Sequence, residues 1–204
     1  KMKPLIVVAT RFEILDSIPL LEEKQIPYLI TGVGMTATAY ALGKALTQQN
    51  DVSHVLNVGI AGSFDKNIPL GEVLAIHSDT FYELGAEDGD KFLNIEELGF
   101  GKGTYHNINT SIDLKLPKHE AITVNKVHGN EKTIQKVLIK YPNVKVESME
   151  GAAVFYACEQ EGMPCAQIRA ISNYVERRNK GTWQIDLALK NLNDWLQKFL
   201  LENY

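Results

Sequence analysis

The chain has 204 residues, with 21 Lys+Arg against 25 Asp+Glu and a formal net charge of −4. That length suits a single domain over residues 1–204. A 45% hydrophobic and 23% charged composition is that of an ordinary globular protein, which excludes disorder as the main theme. The mild acidity argues against a nucleic-acid surface, which needs a basic face. It leaves small anionic ligands open, because a few placed donors bind those.

Short apolar runs alternate with helical patterns. Leu5–Ala9 reads as a fully buried strand and Tyr28–Thr31 as a second, followed by an alanine-rich helix over Met35–Gln49. His54–Val58 reads as a third strand, ended by Gly59. Glu72–His77 and Ala121–Val124 follow as strands, with Gly85–Asn109 between them as a surface loop with room for a short helix. Glu131–Lys140 is a helix stopped by Pro142. Val144–Glu147 is a short strand, and Met149–Glu161 a helix closed by Gly162. Cys165–Ile171 is an apolar strand interrupted by Arg169, and Trp183–Leu201 is the last helix. Alternation of this kind, with unbroken apolar strands, predicts an α/β fold: a three-layer α/β/α sandwich around a mixed, mainly parallel sheet.

The run Leu5–Ala9 is five residues long, far short of the roughly 20 that span a bilayer. It is also too short for a signal-peptide core, and no small-residue cleavage pattern follows it. Cys158 and Cys165 sit in apolar surroundings without C-x-x-C spacing and read as reduced core residues, which suits a cytoplasmic protein. The five histidines form no H-x-x-x-H pair, so no metal site is expected.

Gly32-x-Gly34-x-x-Ala37 has the outline of a dinucleotide fingerprint. Asp51 lies 19 residues on, but before the next strand rather than at its end, where a ribose would be met. A tight strand-to-helix turn is the better reading, and no nicotinamide-type cofactor is expected. In an open α/β sheet, ligands bind beyond the carboxyl ends of strands. Those ends carry Arg11 and Glu13, the Gly32 turn, Asn57-Val58-Gly59-Ile60-Ala61-Gly62, Glu147-Ser148-Met149-Glu150-Gly151, and Arg169-Ala170-Ile171-Ser172-Asn173. Carboxylates, an arginine and an amide beside glycines suit a polar, hydroxyl-bearing small molecule.

In combination, Gly32-Val-Gly-Met35, Asn57–Gly62, Ser148-Met-Glu-Gly-Ala-Ala153 and Arg169–Asn173 resemble the purine nucleoside phosphorylase/nucleosidase superfamily, which includes the methylthioadenosine nucleosidases. Order and spacing agree from Ile6 to the last helix. Within that group the segment Arg169–Trp183 is most similar to the futalosine hydrolases. The resemblance implies hydrolysis of the N-glycosidic bond of futalosine in menaquinone biosynthesis, releasing hypoxanthine and dehypoxanthinylfutalosine, with no cofactor. Alternatives are another purine nucleosidase or phosphorylase acting on inosine or methylthioadenosine, or a non-catalytic nucleoside-binding protein. It also implies a homo-oligomer, a dimer or larger.

The resemblance assigns roles residue by residue. Glu13 matches the water-activating glutamate; a carboxylate there takes a proton from water and stabilises an oxocarbenium-like sugar. The competing reading is a solvated Glu on an amphipathic helix. Arg169 matches the arginine that holds the water, and a buried arginine needs a partner, for which Glu13 or Glu150 would serve. Glu150, read in the first turn of a helix, matches the ribose-binding glutamate; two acceptor oxygens suit vicinal hydroxyls. The competing reading is a plain first-turn Glu. Met149 would lie under the ribose, with Gly59 and Ala61 beside it and a backbone N–H at Ala61 helping to hold water. Val127 and His128 would stack on the base. Asn173 stands where adenine-releasing nucleosidases carry aspartate. Its amide can donate to N7 or a 6-oxo group, which points to hypoxanthine. Related phosphorylases hold phosphate with an arginine and a serine or threonine where this chain has Asn57 and Ile60, so water is the expected nucleophile, with Arg11 the one cation that could compensate.

Overall fold

The computed structural model describes residues 2–49, 51–107 and 112–204. Its main sheet has eight strands. They are β1 (Lys3–Val8), β2 (Tyr28–Ile30), β3 (Val52–Ser63), β4 (Val73–Phe81), β7 (Thr104–His106), β8 (Lys118–Thr123), β9 (Val144–Ser148) and β10 (Cys165–Tyr174), with β5 (Gly85–Asp88) and β6 (Lys91–Asn94) forming a separate hairpin. Five pairings are parallel and three antiparallel, so the sheet is mixed and mainly parallel.

The sheet also curls shut. β3 pairs β10, β10 pairs β4, β4 pairs β8, β8 pairs β9, and β9 returns to the far end of β3 through Gly62 and Ser63. Register shifts interrupt three of these ladders, between Ile171 and Asn173, Ile76 and Ser78, and Glu120 and Ala121. Bulges of this kind bend and twist a strand, which is what closing the circuit requires.

Helices cover both faces. α2 (Met35–Gln48) and α4 (Gly151–Gln160) bury Leu42, Leu46, Val154, Phe155 and Cys158 against one side. The 3-10 turn Arg11–Ser17, α1 (Ile18–Glu23) and α5 (Ile185–Asn203) bury Ile14, Ile18, Leu21, Leu192, Leu196 and Phe199 against the other. α3 (Glu131–Lys140) packs Val137 onto Ile122 and Val144. The Asn130 side chain caps it, accepting from the Lys132 and Thr133 amides at 2.9 and 3.4 Å. Cys158 and Cys165 are both in the core. Among the described residues no helix is long and apolar enough to cross a membrane.

Several boundaries differ from the sequence reading. β3 does not end at Gly59; it continues to Ser63, because Gly59 and Gly62 are paired, extended residues rather than a turn. α4 begins at Gly151, leaving Glu150 as its N-cap rather than in its first turn. α5 starts at Ile185, two residues after Trp183. The expected loop Gly85–Asn109 holds the β5–β6 hairpin and β7; hairpin strands with mostly exposed side chains carry no apolar alternation to betray them. Residues 108 and 109 of that loop lie outside the described residues. The helical stretch Arg11–Glu23 escaped the reading as an element.

That stretch is tied down by a buried polar clamp. Ser17 Oγ donates to Asn193 Oδ1 on α5 at 2.6 Å, and Asn193 Nδ2 donates to the Glu13 carbonyl at 3.0 Å. Ser17→Ala leaves the Asn193 acceptor buried without that donor, and the expected cost is about 1–3 kcal/mol of unfolding free energy. Urea unfolding of the variant against the parent chain measures it.

Candidate active site

β1 leads through Thr10 into the 3-10 turn, and Thr10-x-x-Glu13 is a capping-box pattern. Glu13 Oε2 accepts from the Thr10 amide at 3.1 Å and the Thr10 hydroxyl at 2.9 Å. Its other oxygen, Oε1, accepts from the Ile60 amide at 3.1 Å. Glu13 is buried, so the solvated-helix reading fails. The backbone donor in this region serves Glu13 from Ile60, whereas Ala61 was expected to offer one to water.

Arg169 is 1% exposed and heads the largest fully buried side chains. Nη2 donates to Asn57 Oδ1 at 2.7 Å, Nε donates to Gln167 Oε1 at 3.0 Å, and Nη1 lies 3.9 Å from Glu150 Oε1. Of the two carboxylates proposed as its ion partner, Glu150 is the one in range. Arg169 and Glu13 nonetheless converge. A Cβ added at Gly59 would lie 2.4 Å from Arg169 Nη1 and 3.1 Å from Glu13 Oε1, so only glycine leaves room for both.

Glu150 projects away from the helix it starts. Its side chain makes no cap hydrogen bond, and Oε2 instead accepts from the Gly34 amide at 2.9 Å. Gly34 has φ +98°, a left-handed conformation that aims this N–H across the site. The plain first-turn reading of Glu150 therefore fails, and the first glycine motif acquires a job: it orients a carboxylate.

The remaining predicted residues are placed as follows. Asn173 is half-buried above Gly62; Oδ1 accepts from Ser172 Oγ at 2.9 Å and Nδ2 donates to the Tyr174 carbonyl at 3.1 Å. One N–H and one lone pair remain for a ligand. It makes no hydrogen bond to the Glu13–Arg169–Glu150 group, lying further along the same β3–β10 ladder. Met149 is half-buried, and Ala61 is buried with its carbonyl accepting from Ser172 Oγ at 3.3 Å. Val127 is exposed. His128 is bound to the buried Glu147 by its backbone N–H, at 2.9 Å, and by Nδ1, and it stands edge-on to Tyr82. Arg11 is exposed and bonds the Tyr28 hydroxyl, outside the group.

Beside Glu150 a cleft of about 440 Å³ opens between Met35 and Ala39 of α2, Phe81 at the end of β4 and Leu84 beyond it, and Ala153 and Tyr156 of α4. Tyr105 and Tyr156 meet edge-on in its wall.

The sequence reading missed Asp79, Gln167 and Thr123, which lie behind Arg169. Asp79 is fully buried, and desolvation pushes its carboxyl up to about 6 against hydrogen bonds from Gln167 and Thr123 that pull it down. The available signal was Gln167, a polar residue two before Arg169 and so on the same side of the strand.

Residues 17–201 match the phosphorylase superfamily. The chain belongs to the phosphorylase superfamily. Its relatives in that superfamily include the futalosine hydrolase of Streptomyces coelicolor, 31% identical over 149 residues, covering 71% of this chain and 63% of that protein. The chain thus spans less than two thirds of that relative's length. The futalosine hydrolase of Acidothermus cellulolyticus is 31% identical over 175 residues, covering 80% and 70%. The native structure of Helicobacter pylori futalosine hydrolase shares the fold with a TM-score of 0.77 at 14% identity, covering 98% of both chains.

The raised pKa of Asp79 is expected to make the stability of the fold depend on pH. The folded chain binds that proton more tightly than the unfolded chain, so this stabilising contribution is full below the ordinary carboxylate range and is lost as pH rises from about 4 through about 6. The expected loss is up to about 3 kcal/mol. Urea unfolding at several pH values checks it: this component of the pH dependence should be absent from Asp79→Asn.

Proposed function

We propose that the chain hydrolyses the N-glycosidic bond of futalosine, releasing hypoxanthine and leaving dehypoxanthinylfutalosine, a step of menaquinone biosynthesis. The observation that carries this reading is the convergence of Glu13 and Arg169 at Gly59, with Glu150 3.9 Å from Arg169 Nη1. Glu13 takes a proton from water, whose oxygen bonds to the anomeric carbon as the C–N bond breaks. The electron pair of that bond leaves with the base, which gains a proton. Positive charge developing on the sugar is met by Glu13 and Glu150. Glu150 Oε2 is held by Gly34, and the carboxylate keeps acceptor sites for the two ribose hydroxyls. Asn173 donates its remaining N–H to the departing purine. Met149 underlies the ribose, Gly59 and Ala61 line it, and Val127 and His128 border the base.

Water rather than phosphate is the nucleophile on this reading, because Asn57 and Ile60 stand where related phosphorylases hold phosphate with an arginine and a hydroxyl side chain. Asn57 is turned to structural duty, accepting from Arg169 on Oδ1 and giving one Nδ2 hydrogen to the Val7 carbonyl, at 3.0 Å. The Ile60 amide serves Glu13. The aromatic wall of the cleft beside Glu150 suits the carboxyphenyl ketone that distinguishes futalosine at its 5′ end. The names of the relatives at 31% identity support the same substrate. The reading extends to one nucleosidase domain over 1–204 that needs no cofactor. It also extends to a cytoplasmic homo-oligomer; exposed Val33, Tyr40 and Phe100 support an apolar subunit contact.

The test offers purified protein futalosine, inosine and methylthioadenosine, with and without phosphate, and follows free base. Hypoxanthine from futalosine alone, independent of phosphate, is expected; phosphate dependence, or binding without turnover, sinks the hydrolase reading. Glu150→Gln exchanges a charged acceptor for a neutral amide, and kcat/KM for futalosine should fall about 100-fold. Retention of near-parental kcat/KM removes the ribose role from Glu150.

A further inference from the structure

Two chains of hydrogen bonds end on Asp79. In one, the Ala152 amide donates to Thr123 Oγ1 at 2.8 Å, and the Thr123 hydroxyl donates to Asp79 Oδ1 at 2.8 Å. In the other, Arg169 Nε donates to Gln167 Oε1 at 3.0 Å, and Gln167 Nε2 donates to Asp79 Oδ2 at 3.1 Å. Every donor points toward the carboxylate. An ionised carboxylate accepts on both oxygens and closes both chains without adding an O–H that would need an acceptor of its own.

Each chain holds one arm of the site. The Gln167 arm forces the amide carbonyl toward Arg169 and so fixes the guanidinium plane, with Asn57 gripping its other end. The Thr123 arm does something less direct. An N-cap carboxylate ordinarily bonds the first amides of its own helix. In α4 those amides are served from elsewhere: Gly151 N by Ser148 Oγ at 3.4 Å, and Ala152 N by Thr123. Glu150 is thereby released from its helix to reach Gly34 and the site. The glycine at 151 belongs to the same device. A Cβ there would fall 2.1 Å from Asp79 Oδ2 and 2.3 Å from Gln167 Oε1.

We propose that Asp79, with Gln167 and Thr123, is a positioning residue for glycosidic cleavage that orients Arg169 and frees Glu150 through two converging donor chains. This rests on the nucleosidase reading. The ionised form is the working one, so acid disables the device. The charges facing Asp79 are Arg169 from β10 and Glu150 from the start of α4. Tyr105, its register partner on β7, is a phenol whose pKa burial raises, and it stays neutral. An asparagine at 79 presents N–H on one side, so it turns one arm's dipoles against each other while keeping the volume.

The test uses Asp79→Asn and Gln167→Met, with kcat and KM measured separately on futalosine from pH 5 to 8 and folding followed by thermal unfolding. Both variants should lose about 100-fold in kcat with KM within about threefold. The parent kcat should fall on the acid side of pH 6, and this limb should be missing from Asp79→Asn. Thr123→Ser, which keeps the hydroxyl, should stay within about threefold of the parent. A crystal structure of Gln167→Met gives a readout independent of turnover: the guanidinium should leave Asn57 Oδ1. Folded variants with parental kcat, or an Arg169 that does not move, overturn the positioning role alone. Absence of base release by the parent chain overturns the nucleosidase reading instead, and the position of Arg169 in the Gln167→Met crystal still decides the relay.

Discussion

A guanidinium with 1% of its surface exposed sets the terms for the rest of the site. Its charge cannot be neutralised by losing a proton, and its desolvation must be offset by partners in fixed directions. Stripping one partner from a buried charge pair costs about 3–5 kcal/mol, so the surroundings of Arg169 are constrained as strictly as Arg169 itself. Neutral carbonyl oxygens from Asn57 and Gln167 take two of its faces, and the Glu150 carboxylate stands 3.9 Å off the third. The charge is therefore held without being fully quenched on contact. Glu13, Glu150 and Asp79 around a single arginine leave the pocket poised to favour positive charge on whatever lies between them.

Sheet closure makes that arrangement possible. β3 delivers Asn57 and Gly59, β10 delivers Gln167 and Arg169, and β4 delivers Asp79, on three adjacent strands of the closed circuit. Glu13 and Glu150 come from outside it, one from a 3-10 turn and one from a helix cap, and main-chain amides fix both. Ile60 N holds Glu13 and Gly34 N holds Glu150. Main-chain donors lose no side-chain entropy on binding a carboxylate, so the two acidic groups are set in advance of any ligand.

The layer order, the parallel strands and most helices were legible in the sequence, because apolar periodicity reports burial directly. The bounds of α3 agree to the residue, and Pro142 marks its end chemically. The β5–β6 hairpin was not legible, because its side chains are largely exposed and carry no period. In the site, Glu13, Glu150 and Arg169 stood out as charges at strand ends or inside an apolar strand. Asp79 and Gln167 did not, because their meaning lies in the direction of hydrogen bonds between strands far apart in sequence. The end of β3 was misplaced for a related reason: Gly59 and Gly62 look like turn residues, yet the first is needed for the close approach of two side chains and both sit in paired strand.

The closed circuit also bears on how the chain behaves among copies of itself. A free sheet edge is a template for another molecule's strand. Closure removes the long edges of β3, β4, β8, β9 and β10, and among the described residues the main sheet ends only at β2 and β7, each three residues long. Edges so short offer little to an incoming strand. The bulges that curl the sheet thus also protect a strand-rich chain against edge-to-edge aggregation.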